Sequence, residues 1–222
     1  MIQPSSSPPV ANQSSIAIGI AGSAVTRDKN QKHVSLIYRN SEGHPWLLHL
    51  GWHMDLKHEP WNGAYHWIEF TGLNVEVEEA FADWAVLVAG AAQSTPIPYS
   101  VVLSPDRNFA VDGHYIDRRD GSGLTCATFI LALFSDYGLP LLDRTSWPSS
   151  RPGDAEWALK ILEMLRKYVE LPHYLEQLRQ VYVLKRFRPE EVLVTGTLYK
   201  GEPLKFDVVN PVAQKCLVQA PK

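Results

Sequence analysis

The stretch that most constrains this chain is DGSGLTCATFILALF, residues 120 to 134. A glycine-rich approach delivers Cys126 to the head of an apolar run that reads as a buried helix over 124–137, stopped by Gly138-Leu139-Pro140. A helix start leaves backbone N–H groups without intrahelical partners and carries a partial positive charge. Both favour a thiolate, the reactive form of cysteine. The competing reading is a small buried hydrophobe, the usual fate of a free cysteine. What separates the two is whether the rest of the chain supplies a base.

Upstream, KHVSLIYRN places His33, Ser35, Ile37 and Arg39 on one face at a period of two. After the turn SEGH, PWLLHLGWHMDL continues the alternation, with Leu47, His49, Gly51, His53 and Asp55 together. The two runs read as a β-hairpin around Gly43. IAIGIAGSAV (16–25) is a weaker strand because of its glycines, TRDKNQK a polar turn, KHEPWNGAY a loop and HWIEFTGL a third strand. From Val75 the period becomes helical over 76–93, with Val77, Ala80, Phe81, Trp84, Leu87, Val88 and Ala91 on one face. Downstream, Asp154 is placed to cap the amphipathic helix AEWALKILEMLRKYV. Another helix follows Pro172, and two strand-like runs flank Lys200-Gly201. The sum is an α+β fold: one domain over 15–222 with a core at 33–134, after a Ser/Pro-rich tail at 1–14 expected to be disordered.

A formal charge of −3 gives no electrostatic case for nucleic acid. Two cysteines, Cys126 and Cys216, make no disulfide framework, and without a CxxC pair they suggest no zinc. His44, His49, His53 and His58 invite a metal reading, but on a strand His49 and His53 stand ~7 Å apart, too loose for a preset pair. No metal and no cofactor is therefore expected. No apolar run reaches the ~20 residues of a membrane span. The N-terminus lacks a basic start and an apolar segment, so a cytoplasmic protein is expected, or one delivered by a specialised secretion apparatus.

The hairpin KHVSLIYRN…WLLHLGW resembles the histidine hairpin of NlpC-type cysteine peptidases. In ordinary members of that family the cysteine helix comes first. Here it follows, as in the circularly permuted papain-like branch that includes lecithin retinol acyltransferase. EEAFADWAVLVAGAAQ, IPYSVVL and GLTCATFILALF are similar, in that order, to the alanine-rich helix, Pro-Tyr element and cysteine helix of the branch. The resemblance implies a small antiparallel sheet packed on the cysteine helix. It implies Cys126 as nucleophile, His33 as base, His49 as the residue orienting it and Tyr99 lining the site. His53 and Asp55 are rivals of His49, since a carboxylate orients imidazole well. Trp52, beside the hairpin, is a candidate for the substrate groove, with core packing the commoner fate.

The function expected is a cysteine hydrolase that cleaves a peptide or isopeptide bond through a thioester. The alternatives are a lipid acyl hydrolase or acyltransferase with the same site, and a catalytically silent binding module. A peptide, protein or acyl compound is the expected substrate partner. A toxin or effector role would add a delivery or immunity partner.

Overall fold

The computed structural model describes residues 2–7, 9, 15–23, 31–118 and 120–219. Five antiparallel strands, β1 (Ile16–Gly22), β2 (Lys32–Arg39), β3 (Pro45–Trp52), β4 (Asp55–Pro60) and β5 (His66–Glu69), form one sheet in the order β4-β3-β2-β1-β5. Six α-helices follow: α1 (Val75–Ala91), α2 (Cys126–Tyr137), α3 (Asp154–Leu165), α4 (Leu171–Gln180), α5 (Pro189–Leu198) and α6 (Phe206–Gln219). The expected hairpin is present, with Leu36 opposite Leu48 and Ile37 opposite Leu47.

Alternation along the strands gives the sheet two faces. Ile16, Ile18, Ile20, Val34, Leu36, Leu48, Leu50 and Ile68 enter the main core together with α2. On the other face Ala17, Ile37, Leu47, Tyr65 and Trp67 make a smaller apolar cluster. α2 lies against β2 and β3, and α5 beside it against β1, β2 and β5. Residues Cys126 to Phe134 are all buried, so this helix has no wet face to set a period.

The run IAIGIAG, expected as a weak strand, is strand β1, paired on both sides. Its Gly19 is a packing device. A Cβ on Gly19 would meet Ile37 Cδ1 at 3.0 Å and Tyr65 Cβ at 3.1 Å. Other expectations are corrected. Lys57 to Pro60, read as loop, belong with Asp55 and Leu56 to strand β4, because the chain reverses tightly at His53-Met54 and returns along β3 with His49 opposite Lys57. Asp55 therefore leaves the strand of His49. The two strand-like runs near the C-terminus are helices α5 and α6. In α5 a proline in the first turn, Glu190 and Glu191 beside it, and a bond from Arg188 N–H to Glu191 Oε2 (2.8 Å) outweigh the β-branched residues.

Gly153, at φ 81°, caps α3, and Asp154 is its first helical residue. Helix α1 turns a different face inward, with Phe81, Ala82, Ala85, Val88 and Ala89 buried and Leu87 exposed. Its small alanines let it lie close, and its buried Glu78 accepts the N–H of Ser15. Part of the expected disordered tail is ordered: Gln3 pairs with Trp67, whose indole donates to Ser7 O at 3.1 Å. The turn TRDKNQK lies largely outside the described residues. Among the described residues no helix is long and apolar enough to cross a membrane.

Candidate active site

Cys126 is the first residue of α2 because Thr125 caps it. Thr125 Oγ1 accepts from Thr128 N (3.2 Å) and Thr125 N–H donates to Thr128 Oγ1 (2.7 Å), a reciprocal box. The preceding GSGL segment runs beside the Pro-Tyr element. Ser100 N–H donates to Leu124 O (3.2 Å), Leu124 N–H to Pro98 O (3.0 Å) and Gly123 N–H to Val102 O (3.1 Å). Gly123 is required there, since a Cβ would lie 2.4 Å from Pro98 O. This pairing sets Tyr99 beside Cys126. The Tyr99 hydroxyl sits at the backbone N–H of Cys126, and the Tyr99 and Trp52 ring centroids are 4.6 Å apart with their planes tilted by 36°.

The β2–β3 ladder begins only at Leu36 and Leu48. Below it the strands part, and side chains bridge the fork. His33 Nε2 and His49 Nδ1 are 2.8 Å apart, both rings buried, under the ring of Tyr65. At the same place the backbone N–H of Val34, the neighbour of His33, reaches the Cys126 sulfur, as does that of Ala127. On its far side His49 Nε2 lies 3.9 Å from Glu59 Oε1 of β4. The order across the sheet is Glu59, His49, His33, then the strand position that meets Cys126.

The His33–His49 bond forms with either nitrogen as donor. For His33 Nδ1 to take a thiol proton it must be bare, with His33 Nε2–H donating to His49 Nδ1. His49 then carries its proton on Nε2, toward Glu59. Burial, then the charge of His49, pushes the pKa of His33 down to about 3. Burial pushes the Cys126 thiol up to about 11, against the pull of the Val34 and Ala127 N–H groups and the more distant Arg186. The expected helix-start thiolate is therefore outweighed by desolvation, and the resting pair is thiol and neutral imidazole. A small cleft over Cys126 is lined by Lys32, Tyr99, Trp157, Arg186, Phe187 and Pro189, among others, and has room for about one water.

Of the residues singled out from the sequence, His33 and His49 are bonded to each other, and Cys126 lies with Tyr99 in the cleft beside the backbone of Val34, next to His33; neither histidine ring lines that cleft. Trp52 packs behind Tyr99 and against Tyr168, and does not line the cleft. His53 accepts the Tyr99 N–H at 3.2 Å, and Asp55 pairs with Lys57 at 2.8 Å, so neither orients His33. His44 is exposed beside Glu42 and His58 bonds Tyr38, which disperses the histidine cluster. Among the described residues no three His, Cys, Asp or Glu side chains are placed to hold a metal ion. Cys216 stands on α6, away from these residues in the sequence and half-buried.

Glu59, Tyr65 and Arg186 are the site residues that sequence reasoning missed. The alternation Asp55-Leu56-Lys57-His58-Glu59 was the available signal for the first. Neither Tyr65 nor Arg186 sits in a recognisable pattern.

No protein-family model, curated protein or solved structure matches the chain. The site thus stands on its own chemistry: a buried thiol, an imidazole pair backed by a carboxylate, and a narrow opening.

Proposed function

We propose that the protein is a cysteine-dependent acyl hydrolase of permuted papain-like type, with amides of peptide or isopeptide kind as substrates. The observation that carries this reading is the His33–His49 bond in the strand fork where Cys126 meets Val34. In the mechanism, substrate parts the cleft and Cys126 attacks its carbonyl carbon as the thiol proton passes to His33 Nδ1. His49, with Glu59 beyond it, stabilises the imidazolium that forms. The Cys126 N–H, with the Tyr99 hydroxyl, faces the developing oxyanion. The amine leaves with the proton from His33, and water, activated by the same imidazole, resolves the thioester.

Because thiol and imidazole rest neutral, proton transfer accompanies attack and no preformed ion pair is needed. The lipid-ester reading draws on one observation, the exposed Tyr168, Leu171, Leu175, Tyr182 and Val183 on and around α4. A panel of peptides, isopeptide conjugates and phospholipids decides between the two. Turnover of an amide that Cys126→Ala abolishes, and His33→Gln cuts by about 10²–10⁴-fold, is the expected result. Full activity in Cys126→Ala would refute the mechanism, and no turnover of any class would favour a silent binding module.

A further inference from the structure

The wall that faces Cys126 across its cleft comes from the C-terminal half of the chain, from Trp157 on α3 and from Arg186, Phe187 and Pro189. It carries two buried hydrogen-bond donors that no acceptor among the described residues meets, Trp157 Nε1 and Arg186 Nε. A buried donor without a partner costs stability, and a pair of them in one wall calls for an acceptor that arrives from outside. The two are built as one unit, since the Arg186 guanidinium lies over the Trp157 ring with its central carbon 4.0 Å from the centroid. Arg186 also shares its nearby counter-charges, Asp154 and Glu190, with neighbouring arginines. Its contact to Asp154 Oδ1 is 3.5 Å long, and that carboxylate is shared with Arg151 at 3.2 Å and Arg188 at 3.0 Å. Lys32 stands at the same cleft, and among the described residues no carboxylate lines it.

We propose that this wall is an anion subsite, in which Arg186 and Trp157 hold a carboxylate carried by the substrate beside the carbonyl that Cys126 attacks. The inference rests on Cys126 being the nucleophile and narrows the substrate to acyl compounds with a free carboxylate near the scissile bond. The planar guanidinium fork suits a carboxylate, and the indole N–H adds a second direction of approach.

The test uses the full chain and a pair of reagents alike in size and leaving group. Iodoacetate and iodoacetamide both alkylate a thiolate with loss of iodide, and only the first is an anion. At pH 9 the ratio of their rates at Cys126, divided by the ratio for N-acetylcysteine, should be about tenfold above unity. Arg186→Gln should return it to unity, Arg186→Lys should keep part of it and Trp157→Phe should lower it, each checked for folding by a thermal melt. A ratio at unity in the wild type, a ratio unchanged in folded Arg186→Gln, or failure of both reagents to reach Cys126 overturns the subsite. Protection from iodoacetamide by peptide acids, or by C-terminally amidated peptides with an internal glutamate, tells a terminal from a side-chain carboxylate. Protection by neither also overturns it. The ratio needs no turnover, so an anion preference in a protein that hydrolyses nothing would sink the catalytic reading and leave the subsite standing.

Discussion

His33 is held where water cannot solvate a charge, and this shows in two measurable ways. The first is acid sensitivity. Its pKa falls from the ordinary 6.5 to about 3 on folding, so between those values the unfolded chain binds a proton that the folded chain refuses. Stability is therefore unaffected above pH 6.5 and is lost as the pH drops, by about 3 kcal/mol at pH 4.5 from this residue. Urea unfolding of His33→Asn should show a pH 7 to 4.5 decline smaller by that amount, and an identical decline would mean that His33 is not shielded. The second is the thiol. With Cys126 raised to about 11, its alkylation rate should climb about tenfold per unit from pH 7 to 10 without levelling. A plateau below pH 7 would show a preformed thiolate instead. At this scale the sequence disclosed identities better than environments. Cys126 was readable as a candidate from its helix start, a local signal, and His33 and His49 from the resemblance of their hairpin to a known histidine hairpin. Glu59 and Arg186 were not, because their relevance depends on a tight reversal at residue 54 and on a segment far down the chain.

Elements position these residues through close backbone approaches, and there glycine is decisive. Gly123 lets the segment before α2 touch the Pro98–Ser100 segment, where a Cβ would also lie 2.8 Å from Ser100 Cβ. Gly123→Ala should cost about 1–3 kcal/mol in urea unfolding and displace Tyr99 from the Cys126 N–H. Gly90 on α1 has open space around it, so Gly90→Ala should instead stabilise by about 0.5–1 kcal/mol. Equal effects of the two changes would refute the close approach at Gly123. Most elements were legible: the hairpin, the fifth strand and helices α1 to α4 follow from periodicity and stop signals. Helix α5 was not, because Pro189 to Gly196 are buried on every side. Such a helix loses the 3.6-residue period, and its valines and threonines imitate a strand. Pro189 in the first turn and the capping by Glu191 were the local clues.

Across the whole molecule, a buried ionic cluster ties the cleft wall to the rest of the fold. Asp154, fully buried at the head of α3, meets Arg151, Arg186 and Arg188, while Arg151 also reaches Glu191 on α5. Asp154→Ala leaves three guanidinium groups short of a counter-charge and should cost about 3–5 kcal/mol. Asp154→Asn keeps the shape but not the charge and should cost nearly as much. A loss under 1 kcal/mol in chemical denaturation would show that the cluster adjusts without it. The order in which these parts leave the ribosome gives the arrangement a timetable. Both histidines emerge before the cysteine, yet Arg186 stands 60 residues after Cys126 and α5 later still. At ordinary synthesis speeds that gap lasts about 3–12 s. During it the sheet lacks the helix that covers β1 and β5, and the thiol lacks its facing wall. The cleft wall is thus made well after the helix it faces, and a chain stalled midway exposes a thiol that the folded protein covers.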